Sequence, residues 1–192
     1  MDHEPEKTSL LRKKGDCYYA LGDYVEACVA YEQTILLDPD NVLAHFYKGN
    51  ALFKLQHYSH ALTAYEQVIR LQPDEATGYG QKGGTLPKLK RYVEALAACK
   101  QAIQLAPENP EYYEYAIHAL VKLKRHSEVC TFCTRLIELD ENDTYGHYTQ
   151  AVALLKLKRS EEAHAAFERS LIALAKAIER DPEDALAYMM QD

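Results

Sequence analysis

Apolar residues recur along this chain at three- and four-residue spacing, in pairs of stripes separated by a short polar turn. Ala51, Leu52 and Leu55 make one stripe; Ala61, Leu62, Tyr65, Val68 and Ile69 make the next, with Gln56 and His57 between them. The spacing predicts two antiparallel helices with a tight connection. The layout then repeats. Pro39, Pro73 and Pro107 stand 34 residues apart, as do Gly15, Gly49 and Gly83, and Ala27, Ala61 and Ala95. Tyr31 and Tyr65 continue in the same register as Cys99, Cys133 and Phe167. Small residues such as Gly49 and Ala61 let the two helices approach closely, and Tyr65 fills the space above them. One pair cannot bury its apolar faces alone, so the units must stack.

These landmarks resemble the tetratricopeptide repeat family. The resemblance is close over 8–41, 42–75 and 76–109. The fourth unit, 110–143, departs: Ile117 replaces the small residue, Val129 the Ala and Glu141 the Pro. A fifth unit, 144–184, restores Ala151, Ala163 and Phe167. No unit carries the family's first-helix Trp; Leu11, His45, Tyr79, Tyr113 and His147 hold that place. The resemblance implies an all-α, right-handed superhelical solenoid of antiparallel helix pairs, a single array over 1–192. Segment 185–192 would be a short cap or a truncated sixth unit.

The expected helices are 8–21, 24–37, 42–55, 58–71, 76–89, 92–105, 110–123, 126–139, 144–157 and about 160–180. Asn41 and Asn109 are natural N-caps, and Pro110 sits where a first-turn proline is tolerated. The last helix is extended. Its closing proline is expected at 175 and stands at Pro182, seven residues late and close to two turns. The added Leu171, Ile172 and Leu174 have no counterpart in the preceding unit, so this end is a candidate for homodimer contact. The middle of the array is unusual too. Gly78, Gly80, Gly83 and Gly84 fall in one first helix, and Pro87 removes an amide hydrogen from its last turn, so a soft, kinked element is expected there.

In this family the inner groove is lined by first helices. By position, the resemblance implies Arg12, Asp16 and Tyr19, then Phe46, Asn50 and Phe53, then Gly80 and Gly84, Glu114 and His118, and Tyr145 and Tyr148. The glycines suggest a central recess walled by Asn50 and His118. Chaperone-binding members clamp a terminal carboxylate with Lys, Asn, Asn, Lys and Arg. Here Asp16 and Tyr47 stand where the asparagines belong, and Thr77 and Gly80 replace cations, which argues against a chaperone tail as partner.

Composition narrows the function. The chain has 192 residues, 47% hydrophobic and 27% charged, which suits a packed core and not disorder. A net charge of −7, with Asp16, Glu111 and Glu114 against Arg12 in the groove, argues against nucleic acid. No apolar run approaches the ~20 residues of a membrane span. The start of the chain lacks a signal-peptide pattern, and five cysteines imply no disulfide framework, so a cytoplasmic location is expected. No phosphate loop, nucleophile elbow or zinc-protease motif occurs. His126, Cys130 and Cys133 share a helical face, but Cys133 occupies the core tyrosine position, so packing is expected there in place of a metal. Neither an enzyme nor a cofactor is expected.

Charge is laid out in register. Lys88, Lys90 and Arg91 recur as Lys122, Lys124 and Arg125 and again as Lys156, Lys158 and Arg159, all between the two helices of a unit. Acids such as Asp38, Asp40, Asp74 and Glu108 mark the turns between units. The layout suits helix dipoles and would also make a basic edge that steers an acidic partner. The expected function is a non-enzymatic scaffold that binds a peptide or protein segment in its groove. The alternatives are self-association through the array ends and, further off, a nucleic-acid-binding helical repeat.

Overall fold

The computed structural model describes residues 4–180. Among them are ten α-helices and one 3-10 turn, and no strand. The chain divides into two compact units, Met1–Pro107 and Glu108–Asp192. The first holds α1 (Glu4–Leu21), α2 (Tyr24–Leu37), α3 (Val42–Lys54), α4 (Tyr58–Leu71), α5 (Ala76–Thr85), the 3-10 turn Leu86–Leu89, and α6 (Tyr92–Leu105). The second holds α7 (Pro110–Lys122), α8 (His126–Leu139), α9 (Thr144–Lys156) and α10 (Ser160–Arg180). Within each unit every helix packs on the next, as the 34-residue period requires. No described helix is long and apolar enough to cross a membrane. Pro182 and segment 185–192 lie outside the described residues.

Helix ends follow local chemistry. The side chains of Asn41, Asn109 and Asp143 accept hydrogen bonds from the backbone amides of Ala44, Glu111 and Gly146, capping α3, α7 and α9. The first helix of each repeat ends on a left-handed residue: Gly22 (φ 83°), Gln56 (62°), Lys90 (59°), Lys124 (59°) and Lys158 (61°). The amide after each one reaches back five residues, as His57 N does to Leu52 O at 2.8 Å, which satisfies carbonyls left open at the helix end.

The two helices of a repeat cross at a small residue. The side chain that a Cβ at Gly15 would strike is Tyr31, and at Gly49 it is Tyr65. Ala27, Ala61, Ala95, Val129 and Ala163 are fully buried on the second helices. Consecutive repeats meet at another small residue. A Cβ on Gly78 would lie 2.8 Å from Ile69 Cγ1, and one on Gly146 would lie 3.1 Å from Ile137 Cγ1. Gly78 is therefore demanded by repeat stacking, although the landmarks of the period gave it no role. At the place of the family's Trp, His45 Nε2 lies 2.9 Å from Pro39 O and His147 Nε2 lies 3.0 Å from Glu141 O. Each ring ties its helix to the turn before it. Pro87 has the expected effect: α5 stops at Thr85, and Leu86 and Pro87 continue, buried, in the tighter 3-10 turn.

Candidate functional site

In the second unit, α7 and α9 enclose a cavity of about 590 Å³. Its floor is Val121 from α7 with Val152, Ala153 and the ring of Tyr148 from α9. Val121 is 39% exposed and Tyr148 is 55% exposed, a wide apolar surface open to solvent. Tyr148 stands edge-on to Phe167 of α10, centroids 5.9 Å apart, so its orientation is set by the repeat's own aromatic core. His118, Tyr145, Thr149 and His126 also line the cavity.

The rim is cationic. Lys122 and Lys156 are the last residues of α7 and α9, and Lys124 is the left-handed residue that follows α7. All three lysines line the cavity, and no Asp or Glu does. The neighbouring arginines are engaged. Arg125 holds Glu128 at 2.5 Å, and Arg159 holds Glu162 at 2.6 Å. Arg91 in the first unit holds Glu94 in the same i, i+3 geometry at 2.6 Å, which lowers the Glu94 carboxyl below its ordinary range through the hydrogen bond. The nine cations of the expected basic edge therefore divide into three neutralised arginines and six lysines. No ion pair is formed by those lysines among the described residues. Lys88, Lys90 and Lys158 are exposed outside the cavity.

The first-unit groove candidates are held by internal contacts. Arg12 pairs with Asp16 at 2.7 Å, and Tyr31 Oη donates to Asp16 Oδ1 at 3.0 Å. Burial, and next the bond to Asp16, push the Tyr31 hydroxyl above its ordinary pKa. One repeat later Tyr65 Oη donates to Asn50 Oδ1 at 2.8 Å. The core tyrosine thus emerges beside its glycine and pins a polar groove residue. Tyr19 stacks its edge on Tyr24 at 5.3 Å, Phe46 on Tyr47 at 5.2 Å and Phe53 on Tyr58 at 5.3 Å, so these rings are half-buried in an aromatic run. Gly80 is buried and Gly84 half-buried. In the second unit Glu114 is half-buried, and burial followed by the nearby Asp143 and Glu111 raises its carboxyl pKa. Cys133, of the sequence's His-Cys-Cys face, is fully buried, and burial pushes its thiol up to about 12. Among the described residues no three His, Cys, Asp or Glu side chains converge as a metal site.

Of the residues singled out by sequence, the cavity brings together His118, Tyr145 and Tyr148 with Lys122, Lys124 and Lys156. Sequence reasoning had placed these on two separate surfaces, a groove and an edge. It gave Thr149 and Ala153 no role. A second cleft of about 430 Å³ lies between α2 and α4, lined in part by Cys28, His57 and His60 and crossed by the Lys48–Glu32 pair at 3.1 Å. Nothing in the sequence pattern pointed to it.

A family model described as TPR repeat matches residues 15–56, and one described as tetratricopeptide repeat matches residues 48–110. No curated protein matches the chain. Among solved structures, a crystal structure of MamA protein is 19% identical, covers 92% of this chain and 97% of its own, and superposes with a TM-score of 0.85. MamA from Desulfovibrio magneticus RS-1, residue 41 to the end, is 19% identical over 88% of this chain and 96% of its own, TM-score 0.82. A third, MamA AMB-1, is 22% identical over 86% and 91%, TM-score 0.76. The likeness is one of fold.

Proposed function

Because the chain is a tetratricopeptide repeat protein, we propose that it is a non-catalytic scaffold that seats a peptide segment of a partner protein in the α7–α9 cavity. Such repeats generally serve as protein-interaction scaffolds. The observation that carries the specific reading is the cavity: open apolar floor, lysine rim and no carboxylate. An apolar floor of this size removes a bulky side chain from water, at ~25 cal/mol per Å² buried, while the rim fixes the charge of what enters. The first-unit candidates Asp16 and Asn50 serve here mainly as partners of the core tyrosines.

A peptide array probed with the purified chain tests the reading. Val152→Asp with Tyr148→Ala should abolish most array binding with unchanged helical circular dichroism; binding that persists overturns it. Self-association is the second reading, favoured by Leu171, Ile172 and Ile178 of α10, which are 66, 57 and 42% exposed. Sedimentation of the same samples decides it, since a monomer at every concentration excludes it.

A further inference from the structure

We infer that the α7–α9 cavity selects an acidic peptide segment that sets one bulky apolar side chain, Leu or Phe, on the floor; this rests on the reading of that cavity as a peptide seat. The chain has 29 acidic residues against 22 basic ones, yet the α7–α9 cavity is lined by three lysines and no carboxylate. The bias is local and opposes the net charge.

The ion pairs sharpen it. Arg125 and Arg159 stand beside the rim but are occupied by Glu128 and Glu162 within their own helices. Lys122, Lys124 and Lys156 are the cations left to meet an incoming carboxylate. Lys122 and Lys156 end α7 and α9, Lys124 lies in the turn from α7 to α8, and all three line the cavity. An acidic residue on either side of the buried apolar side chain would therefore find an ammonium within reach. The choice of lysine matters. An ammonium on a flexible stem recognises charge without the fixed bidentate geometry of a guanidinium. The site should accordingly accept Asp and Glu alike, and should be weakened by salt because the rim is exposed.

The same lysines and Tyr148 would attract a single-stranded nucleic acid, but the floor argues for a peptide. Val121, Val152 and Ala153, three of the four floor side chains, have no π face for a base and suit an apolar side chain, although His118, Tyr145 and Tyr148 bring rings to the same cavity.

The test uses the full chain and three blocked peptides of equal length in fluorescence anisotropy. One has a central Phe flanked by Glu, the second has Gln for every Glu, and the third has Ser for the Phe. The Glu peptide should bind about tenfold more tightly than the Gln peptide at low salt, with the difference shrinking as salt rises. The Ser peptide should bind weakly. The triple variant Lys122→Glu, Lys124→Glu and Lys156→Glu should invert the preference, so that the Gln peptide binds more tightly than the Glu peptide. The milder Lys→Gln triple should reduce the preference, and Lys88→Glu with Lys90→Glu, outside the cavity, should keep it. If the Gln peptide binds as tightly as the Glu peptide, acidic selection is wrong while the peptide seat stands. If a single-stranded oligonucleotide of matched charge displaces the Glu peptide and binds more tightly, the inference is overturned in favour of nucleic acid. If none of the peptides binds, the seat and the inference fall together.

Discussion

The helix crossings of the repeats solve one packing problem in different ways. In the first two repeats a glycine faces a tyrosine: a Cβ at position 15 or 49 would lie 2.5 Å from the ring of Tyr31 or Tyr65. In the fourth the large member has moved to the other helix, Ile117 against Cys133, both fully buried. The third has neither, only Gly83 against Cys99. A Cβ at position 83 would strike Cys99 Sγ first and lie 3.3 Å from the backbone nitrogen of Cys99, so that even the smaller partner leaves no room for a methyl group. The crossing admits one large side chain, from the second helix in the first two repeats and from the first helix in the fourth. Ile117, which breaks the sequence pattern, is thus the complement of Cys133 and no packing fault.

The most severe test transplants the fourth crossing into the second repeat. Gly49→Ile alone drives a side chain into the Tyr65 ring and should cost about 3 kcal/mol. Tyr65→Cys alone opens a cavity and leaves Asn50 without its hydroxyl donor, at about 3–5 kcal/mol. Together they recreate the Ile–Cys pair. The double variant should be more stable than the sum of the single effects predicts by about 3 kcal/mol, as read from urea unfolding. Additive losses would show that the crossings are not complementary in volume.

A gentler test compares α3 with α5, which hold the same place in adjacent repeats. α5 carries four glycines where α3 has Gly49 alone, and each extra glycine costs a helix ~1 kcal/mol against alanine. Close packing of Gly78 on Ile69 returns part of this. Amides of α5 should open with ~2 kcal/mol less protection than those of α3, about thirtyfold faster exchange under native conditions. Hydrogen exchange resolved over residues 42–54 and 76–85 measures it. Equal protection would mean that the packing around α5 fully compensates for the glycines.

Most of the fold was legible because a helix pair that recurs every 34 residues fixes its own phase. The bounds of α2, α4, α6 and α8 coincide with those expected. The first helix begins earlier than expected, at Glu4, because Pro5 lies in the first turn, where its missing amide hydrogen costs nothing. The candidate site was half legible. Tyr148 and Lys122 were both marked, but their meeting in one cavity depends on how α7 and α9 pack, which periodicity does not encode. The neutralised arginines could have been read directly: Glu94, Glu128 and Glu162 each follow an arginine by three residues at the start of a helix. The cleft between α2 and α4 left no trace, since its lining is scattered over three helices.

The smallest effect separates what the repeats share in torsion from what they differ in by residue. The five helix ends adopt one left-handed conformation, on Gly22 in the first repeat and on Gln56, Lys90, Lys124 and Lys158 in the others. A side chain in that region is strained, and glycine is not. Lys90→Gly, Lys124→Gly and Lys158→Gly should each raise stability by about 0.5 kcal/mol in urea unfolding, and Gly22→Ala should lower it by about 1 kcal/mol. Lysine at this place also lies by the negative end of the helix dipole, worth ~0.3–1 kcal/mol, which opposes the gain. A loss on substitution would show that the dipole outweighs the strain. The lysines should then part company in function. Lys90 and Lys158 lie outside the cavity, so their glycine variants should bind the acidic peptide as the parent does. Lys124 lines it, so Lys124→Gly should trade a small gain in stability for weaker preference between Glu and Gln peptides. If all three variants discriminate equally, the strained torsion at 124 serves the turn alone and the rim charge is carried by Lys122 and Lys156.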